Sequence, residues 1–481
     1  MEMFIDGSWR GAESGGRFDV RDPATGDLVG SVPDAGPADA GFALQSAARA
    51  FESWRETPAA ARARLLHEAA RRLRAAAPDF ATTLTRELGR PLAASRTEML
   101  RTAELFDVQA EEGQRVAARM PLGGKRGEKV LITREPVGVV VAITPFNYPV
   151  TLLAFKLGAA LMAGCTLVAK PSELTPLTTL MLAALFHEAG FPPGVFNVVT
   201  GLGPALGQAL VAHQIPRKIA FTGSVEAGIK IAAAAALTMK RLTLELGGQS
   251  PALVLADADI AKAAAAIARH AFANSGQFCY RVARVYAEST VYDQFIEKLA
   301  VEAAKLTVGN GLTDDCALGP LVNEKIFANS IRQIEDARAK GAAILTGGER
   351  LAGPRYDRGF FLAPTLIGDA NHTMQVMTAE TFGPVSGIMK VANAAEALKL
   401  ANDSQYGLAA FIFSGSLARG LALAERLEAG SVWVNDIQRS HQNAPFGGVK
   451  MSGLGREKGA EGIEAYLETK TIYLSYDEGL E

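Results

Sequence analysis

From residue 137 onward the chain changes rhythm, and that change restricts its fold more than any other feature. Short apolar runs at 137–143, 166–169, 195–199, 218–221 and 241–244 read as strands, with Ala- and Leu-rich helical stretches between them. Strands alternating with helices predict a parallel, doubly wound sheet whose ligands lie at the strands' carboxyl ends. A second alternation begins near Pro251. Strands are expected at 252–255, 282–287, 387–391, 409–413 and 431–435, with helices at 257–274 and 292–306, so a second α/β unit occupies 248–450. The stretch 466–476 alternates like an exposed strand and is expected to pair outside its own unit. Ahead of 137 the pattern predicts a small hairpin over 4–21, then helices at 37–54 and 59–74. Phe42, Ala47, Phe51 and Trp54 share one helical face, as do Leu65, Leu66, Ala69 and Leu73.

A chain of 481 residues needs about two or three domains. Its apolar fraction of 48% supplies a sizeable core, and a formal net charge of −2 with no Lys/Arg run excludes a nucleic-acid footprint. Cys165, Cys279 and Cys316 are widely separated and the six histidines do not cluster, so neither a disulfide framework nor a metal site is expected. The apolar stretch 137–155 is long enough to span a bilayer, but Pro145, Asn147 and Pro149 would leave backbone groups unsatisfied in lipid. No signal peptide is read at the start. A cytoplasmic protein without a membrane partner is expected.

Three segments carry residues suited to covalent chemistry. Cys279 follows Gly276, the glycine that closes the helix expected at 257–274. A lone cysteine is commonly a buried structural thiol. A nucleophile needs in addition a base, a donor for the developing anion and a cause for the thiolate. Glu245, at a strand end before Gly247 and Gly248, offers the base, or else a salt-bridge or turn residue. Asn147, in Pro145-Phe146-Asn147-Tyr148-Pro149, offers the donor or a turn asparagine. For a dinucleotide, 201–207 has the form G-x-G-x-x-x-G, longer than the usual fingerprint and interrupted by Pro204. Gly203 therefore also fits a tight strand–helix connection. Phe221-Thr222-Gly223-Ser224 is the better anion site. Ser224 caps a helix expected to run to about Lys240, whose N-terminal N–H groups and dipole suit a pyrophosphate.

Taken in order, PFNYP at 145–149, KPSE at 170–173, FTGS at 221–224, LELGG at 244–248, GQFC at 276–279, ETFGPV at 380–385 and PFGGVKMSGLGRE at 445–457 resemble the aldehyde dehydrogenase superfamily. The resemblance covers essentially the whole chain. It implies a Rossmann-like NAD(P)-binding domain (1–117 and 137–247), a second α/β catalytic domain (248–450) and a small β oligomerisation element (118–136 and 466–481). A homodimer or homotetramer follows. It also implies that Cys279 attacks an aldehyde, and that the Asn147 amide with the Cys279 N–H holds the oxyanion. Such a donor is worth about 3–4 kcal/mol. Glu245 then activates the water that hydrolyses the thioester. Lys170 and Glu173 fall at the adenine ribose, and Phe221, Gly223 and Ser224 at the pyrophosphate. Glu380 and Phe382 fall at the nicotinamide ribose and ring, with Gly203, Leu246 and Gly247 completing the cofactor set. Glu173 would repel a 2′-phosphate and favours NAD⁺, while Lys170 leaves NADP⁺ open.

Phe278 and Tyr280 flank Cys279 and are expected to shape the substrate pocket with Phe155 and Phe446, which suits an apolar or aromatic aldehyde. In the resemblance, 435–444 is the substrate entrance, where Arg439 and His441 offer recognition of a semialdehyde's carboxylate or remain solvated loop residues. Glutamate at 245 favours hydrolysis to a free acid over transfer to coenzyme A. A coenzyme-A-acylating enzyme and a catalytically silent scaffold are the alternatives.

Overall fold

The computed structural model describes residues 1–121, 124–125, 127–437 and 440–476. Its first sheet orders the strands Ser8–Arg10, Met3–Ile5, Phe196–Val198, Thr166–Lys170, Val139–Ile143, Lys218–Thr222, Arg241–Glu245 and Gly453–Leu454. Pairing is parallel from Phe196–Val198 through Arg241–Glu245, and antiparallel strands close both edges. Every residue of Thr166–Lys170 and Lys218–Thr222 is buried. Parallel strands covered by helices on both faces bury every position, and these are apolar in the middle with Lys and Thr only at their ends. The chain reverses its order of strand addition between Val139–Ile143 and Lys218–Thr222, the place where a doubly wound sheet opens a ligand crevice.

The second sheet runs Ala343–Thr346, Thr365–Gly368, Val385–Val391, Val282–Glu288, Ser250–Val254, Ala409–Phe413 and Ser431–Val434. All its pairs are parallel except that of Ala343–Thr346 with Thr365–Gly368. Helices Pro37–Trp54, Ala59–Ala75, Ala77–Leu88 and Leu92–Gly113 precede the first sheet's central strands. Helix Pro149–Ala163 is apolar on nearly all sides and almost wholly buried, as expected of a core helix. Among the described residues no helix is long and apolar enough to cross a membrane.

The α/β reading stands, with local corrections. Residues 4–21 do not form one hairpin. Met3–Ile5 folds onto Ser8–Arg10 through Asp6 and Gly7, both at positive φ, while Arg17–Arg21 pairs with Leu28–Pro33. The helix after Ser224 stops at Ala236, short of Lys240. There Met239 adopts φ 51° and the Lys240 N–H donates to the Ala235 carbonyl, a left-handed C-terminal cap built without glycine. The strand expected at 466–476 spans Leu467–Ser475 and pairs antiparallel with Glu128–Pro136 along its whole length.

Candidate active site

The three segments singled out for chemistry meet at the carboxyl ends of the first sheet. Thr144 to Tyr148 leave strand Val139–Ile143, and Pro149 opens the buried helix. Glu98 on helix Leu92–Gly113 accepts the Val150 and Thr151 N–H groups at 3.2 and 3.0 Å, which anchors that helix start. Glu98 is itself paired with buried Arg90, whose guanidinium lies over the Tyr148 ring. Glu245 is the last residue of its strand, and the Gly223 N–H donates to its carbonyl at 3.0 Å.

The loop before Cys279 is held in an uncommon conformation. Asn274, Ser275 and Gly276 take φ values of 50°, 56° and 73° in succession. Left-handed backbone at two consecutive non-glycine residues is costly and persists only where the surroundings impose it. Here the Asn274 amide donates to the carbonyls of Asn147 and Gln277, both at 3.2 Å, and the Ser275 hydroxyl donates to the Gly319 carbonyl at 2.8 Å. Gly276 has no room for a side chain: a Cβ there would stand 2.1 Å from the Gly383 oxygen. A Cβ on Gly248 would lie 2.3 Å from the Cys279 oxygen, so LELGG and GQFC are pressed together backbone to backbone.

Electrostatics around the thiol follow from burial. Burial raises the Cys279 pKa, and the carboxylates of Glu245 and Glu380 raise it further. Glu245 is 3% exposed, and neither carboxylate oxygen has a hydrogen-bond partner among the described residues. Burial lifts its pKa well above the usual carboxylate range. Glu457 adds to the rise, while Lys156 and Arg456 oppose it. Lys156, buried in the apolar helix, donates to Glu457 at 2.6 Å and to the Thr222 hydroxyl at 2.6 Å. Glu380 is pushed up to about 7 by burial, against the Gly248 N–H that donates to it at 3.0 Å and the charge of Arg281. The Asn147 side chain is buried, and its amide oxygen has no hydrogen-bond partner among the described residues.

Most of the residues expected to hold a cofactor follow strand ends of the first sheet. Ser224 caps helix Val225–Ala236 by accepting the Ala227 N–H at 3.3 Å, which leaves the first N–H groups of the helix free for an anion. A Cβ on Gly223 would sit 2.4 Å from Phe221, and one on Gly247 would sit 2.7 Å from Glu380. Leu246 packs beside Phe221. Lys170 is buried, with one carbonyl partner at 3.4 Å. Burial lowers its pKa and neighbouring Glu173 opposes that. Gly203, at φ 58°, begins helix Gly203–Ala212 directly after strand Phe196–Val198, the strand–helix connection that its motif allowed. Phe382 adopts φ 53° and meets Phe146 edge to face at 5.8 Å. Glycines at these close approaches, a capped helix start and an under-partnered buried lysine fit a dinucleotide.

Comparison with known proteins agrees. Residues 9–472 match the model of the aldehyde dehydrogenase family. The chain belongs to the aldehyde dehydrogenase family. It is 38% identical to a glutarate-semialdehyde dehydrogenase of Pseudomonas putida, over 98% of each chain. It is 39% identical to an NADP(+) succinate-semialdehyde dehydrogenase of Escherichia coli, over 98% of this chain and 96% of that one. Betaine aldehyde dehydrogenase of Staphylococcus aureus, crystallised in complex with NAD⁺, superposes with a TM-score of 0.97 at 33% identity, covering 100% of this chain and 96% of that one.

The expected substrate residues of this dehydrogenase fall in two places. Phe278, Tyr280 and Phe446 join one aromatic cluster: Phe278 meets Tyr280 at 5.1 Å, Tyr280 meets Phe446 at 5.4 Å and stacks on Trp433 at 5.9 Å. Phe155 packs instead on the first domain's core, under the Lys458 ammonium. His441 is exposed, and Arg439 lies outside the described residues. Sequence reasoning passed over Lys156, Glu457 and Asn274. A lysine inside the run from Val150 to Ala163 was the readable signal for Lys156; Glu457 lay inside a matched segment and Asn274 two residues ahead of one, neither with a chemical cue of its own.

Proposed function

We propose that this aldehyde dehydrogenase oxidises a semialdehyde to the free acid, with Cys279 as nucleophile and Glu245 as hydrolytic base. The observation that carries this reading is the Glu245 carboxylate, buried with both oxygens unpartnered among the described residues and near enough for its charge to raise the Cys279 thiol. A carboxyl group with a raised pKa, free of hydrogen bonds, is a proton acceptor waiting for a water. The Cys279 thiol gives up its proton to solvent as the sulfur adds to the aldehyde carbon, and the Asn147 amide with the Cys279 N–H steadies the resulting oxyanion. When bound, NAD(P)⁺ supplies the hydride acceptor and a ring cation that offsets the carboxylates around the thiol. Loss of a hydride from the aldehyde carbon leaves a Cys279 thioester, which a water cleaves as it loses its proton to Glu245, releasing the free acid and the Cys279 thiolate. Lys156 and Glu457 lie behind Glu245 and carry the charge balance as it gains and loses that proton.

Lys170 and Glu173 would hold the adenine ribose, Ser224 and its helix start the pyrophosphate, and Glu380 with Phe382 the nicotinamide end. The names of the two semialdehyde dehydrogenase relatives support the substrate class. The aromatic cluster at Phe278, Tyr280 and Phe446 favours an apolar or aromatic aldehyde as the second reading. Steady production of free acid with NADH, in the absence of coenzyme A, tests the hydrolytic reaction. Strict dependence on coenzyme A would overturn it.

The ribbon of Glu128–Pro136 with Leu467–Ser475 supports assembly as a dimer or tetramer. A two-stranded ribbon is marginal by itself, and this one exposes Tyr473 at 79% together with Leu474 and Tyr476. Light scattering on the purified protein tests this; a monomer at micromolar concentration would refute it. The free cysteines suit a reducing compartment, and we place the enzyme in the cytoplasm.

A further inference from the structure

We propose that Lys458 and Arg101 form an anion subsite beside the aldehyde channel, which holds a carboxylate carried at the far end of the substrate. The inference rests on the reading of Cys279 as nucleophile and of 435–444 as the channel mouth.

Lys458 follows Glu457, whose carboxylate takes the Lys156 hydrogen bond and whose backbone exchanges hydrogen bonds with Phe446. That places Lys458 one residue from the machinery around Glu245. It is 1% exposed and sits at φ 66°, a backbone state that disfavours a side chain. Its ammonium donates to the Ser440 hydroxyl at 3.0 Å and lies 5.7 Å from the centre of the Phe155 ring. From the other side, Arg101 on helix Leu92–Gly113 donates to the Ser440 carbonyl at 2.9 Å, and the Gln442 amide donates to the Arg101 carbonyl at 3.3 Å. Two cations from distant parts of the chain thus grip the same residue of the mouth.

Neither forms an ion pair with a carboxylate among the described residues. Burial together with the Arg101 charge pushes the Lys458 pKa down to about 8, against the charge of exposed Glu104. A buried ammonium next to a guanidinium and short of a counter-ion is a poor structural element and a good anion receptor. The substrate's terminal carboxylate supplies the missing charge, its methylene chain crosses the Phe155 face, and its aldehyde reaches Cys279. A sulfonate would satisfy the same donors.

The test compares glutarate semialdehyde and succinate semialdehyde with pentanal and butanal. Lys458→Met should raise KM for the semialdehydes at least tenfold with kcat changed less than threefold, while KM for the neutral aldehydes moves less than threefold. Lys458→Arg should recover most of the loss. Glutarate, as a competitive inhibitor, should weaken in parallel. Arg101→Met, at a half-buried position, is the second variant and should show the same split should Lys458→Met fail to fold. Equal losses on charged and neutral aldehydes, or a wild-type enzyme that does not distinguish them, overturn the subsite. Retained activity in Cys279→Ala would instead sink the catalytic reading on which it rests.

Discussion

The side-chain amide of Asn274 donates to the backbone carbonyl of Asn147 across 3.2 Å. One hydrogen bond therefore joins the loop that enters helix Pro149–Ala163 to the turn that presents Cys279. The two groups meant to act on the same oxygen of the aldehyde are spaced by it. Because Asn274 also holds a left-handed backbone, its replacements separate two effects.

Asn274→Gly keeps the backbone and deletes the amide. We expect kcat to fall roughly 10–100-fold, the range produced by small misplacements of reacting groups, with KM for NAD⁺ within twofold. Asn274→Val adds backbone strain and should also lower the melting temperature. Unchanged kcat in the glycine variant would show that the bond does not position the site.

Glu245→Gln should leave the first turnover and slow the later ones. Stopped-flow absorbance would show a burst of NADH, followed by a steady rate lower by on the order of 10²–10⁴. A steady rate equal to wild type would remove Glu245 from the role of base.

Lys156→Met strands the Glu457 carboxylate in the interior, since the 2.6 Å bond between them is lost. Breaking one partner of a buried pair costs about 3–5 kcal/mol. Urea unfolding should show that loss, and adding Glu457→Gln should restore part of it. Equal midpoints for all forms would mean that the pair is solvated.

Without cofactor, the Cys279 thiol should alkylate slowly at neutral pH. Burial and the neighbouring carboxylates raise its pKa, so the reactive thiolate is scarce and iodoacetamide labelling speeds up as pH rises. Glu380 ionises near 7 and pushes the thiol further up as it does so, which flattens the rise around that pH. Glu380→Gln should make labelling faster and the profile steeper. Fast, pH-independent labelling from pH 6 to 9 would contradict the assigned electrostatics.

The strands of both sheets were legible because parallel pairing buries both faces, and continuous apolar runs such as 139–143 and 167–169 have no other comfortable fate. Ser224 was legible as a cap because its hydroxyl has one common use ahead of a helix. The end of that helix was not, since Met239 takes a conformation that its side chain disfavours and carries no mark in the sequence. Single residues such as Glu245 were ambiguous for a physical reason. What makes this carboxylate unusual is the absence of partners, and absence is a property of three dimensions. The Lys458–Ser440–Arg101 contact was hidden likewise, since Arg101 is far from the other two along the chain.

Gly453–Leu454 zips onto Arg241–Glu245 after the whole second sheet has been laid down, and a Cβ on nearby Gly447 would press within 2.6 Å of the Glu245 carboxylate. A ribosome that has released residues through Val434 has already synthesised Asn147, Glu245 and Cys279. It has not yet made the glycine on which Glu245 rests, nor the glutamate that answers Lys156. An unfinished chain thus displays its thiol without the surroundings that direct it, and competence arrives only when the last part of translation is threaded back to the first sheet. Premature termination in that stretch yields a Cys279 without Gly447 beside Glu245 and without the Glu457 partner of Lys156.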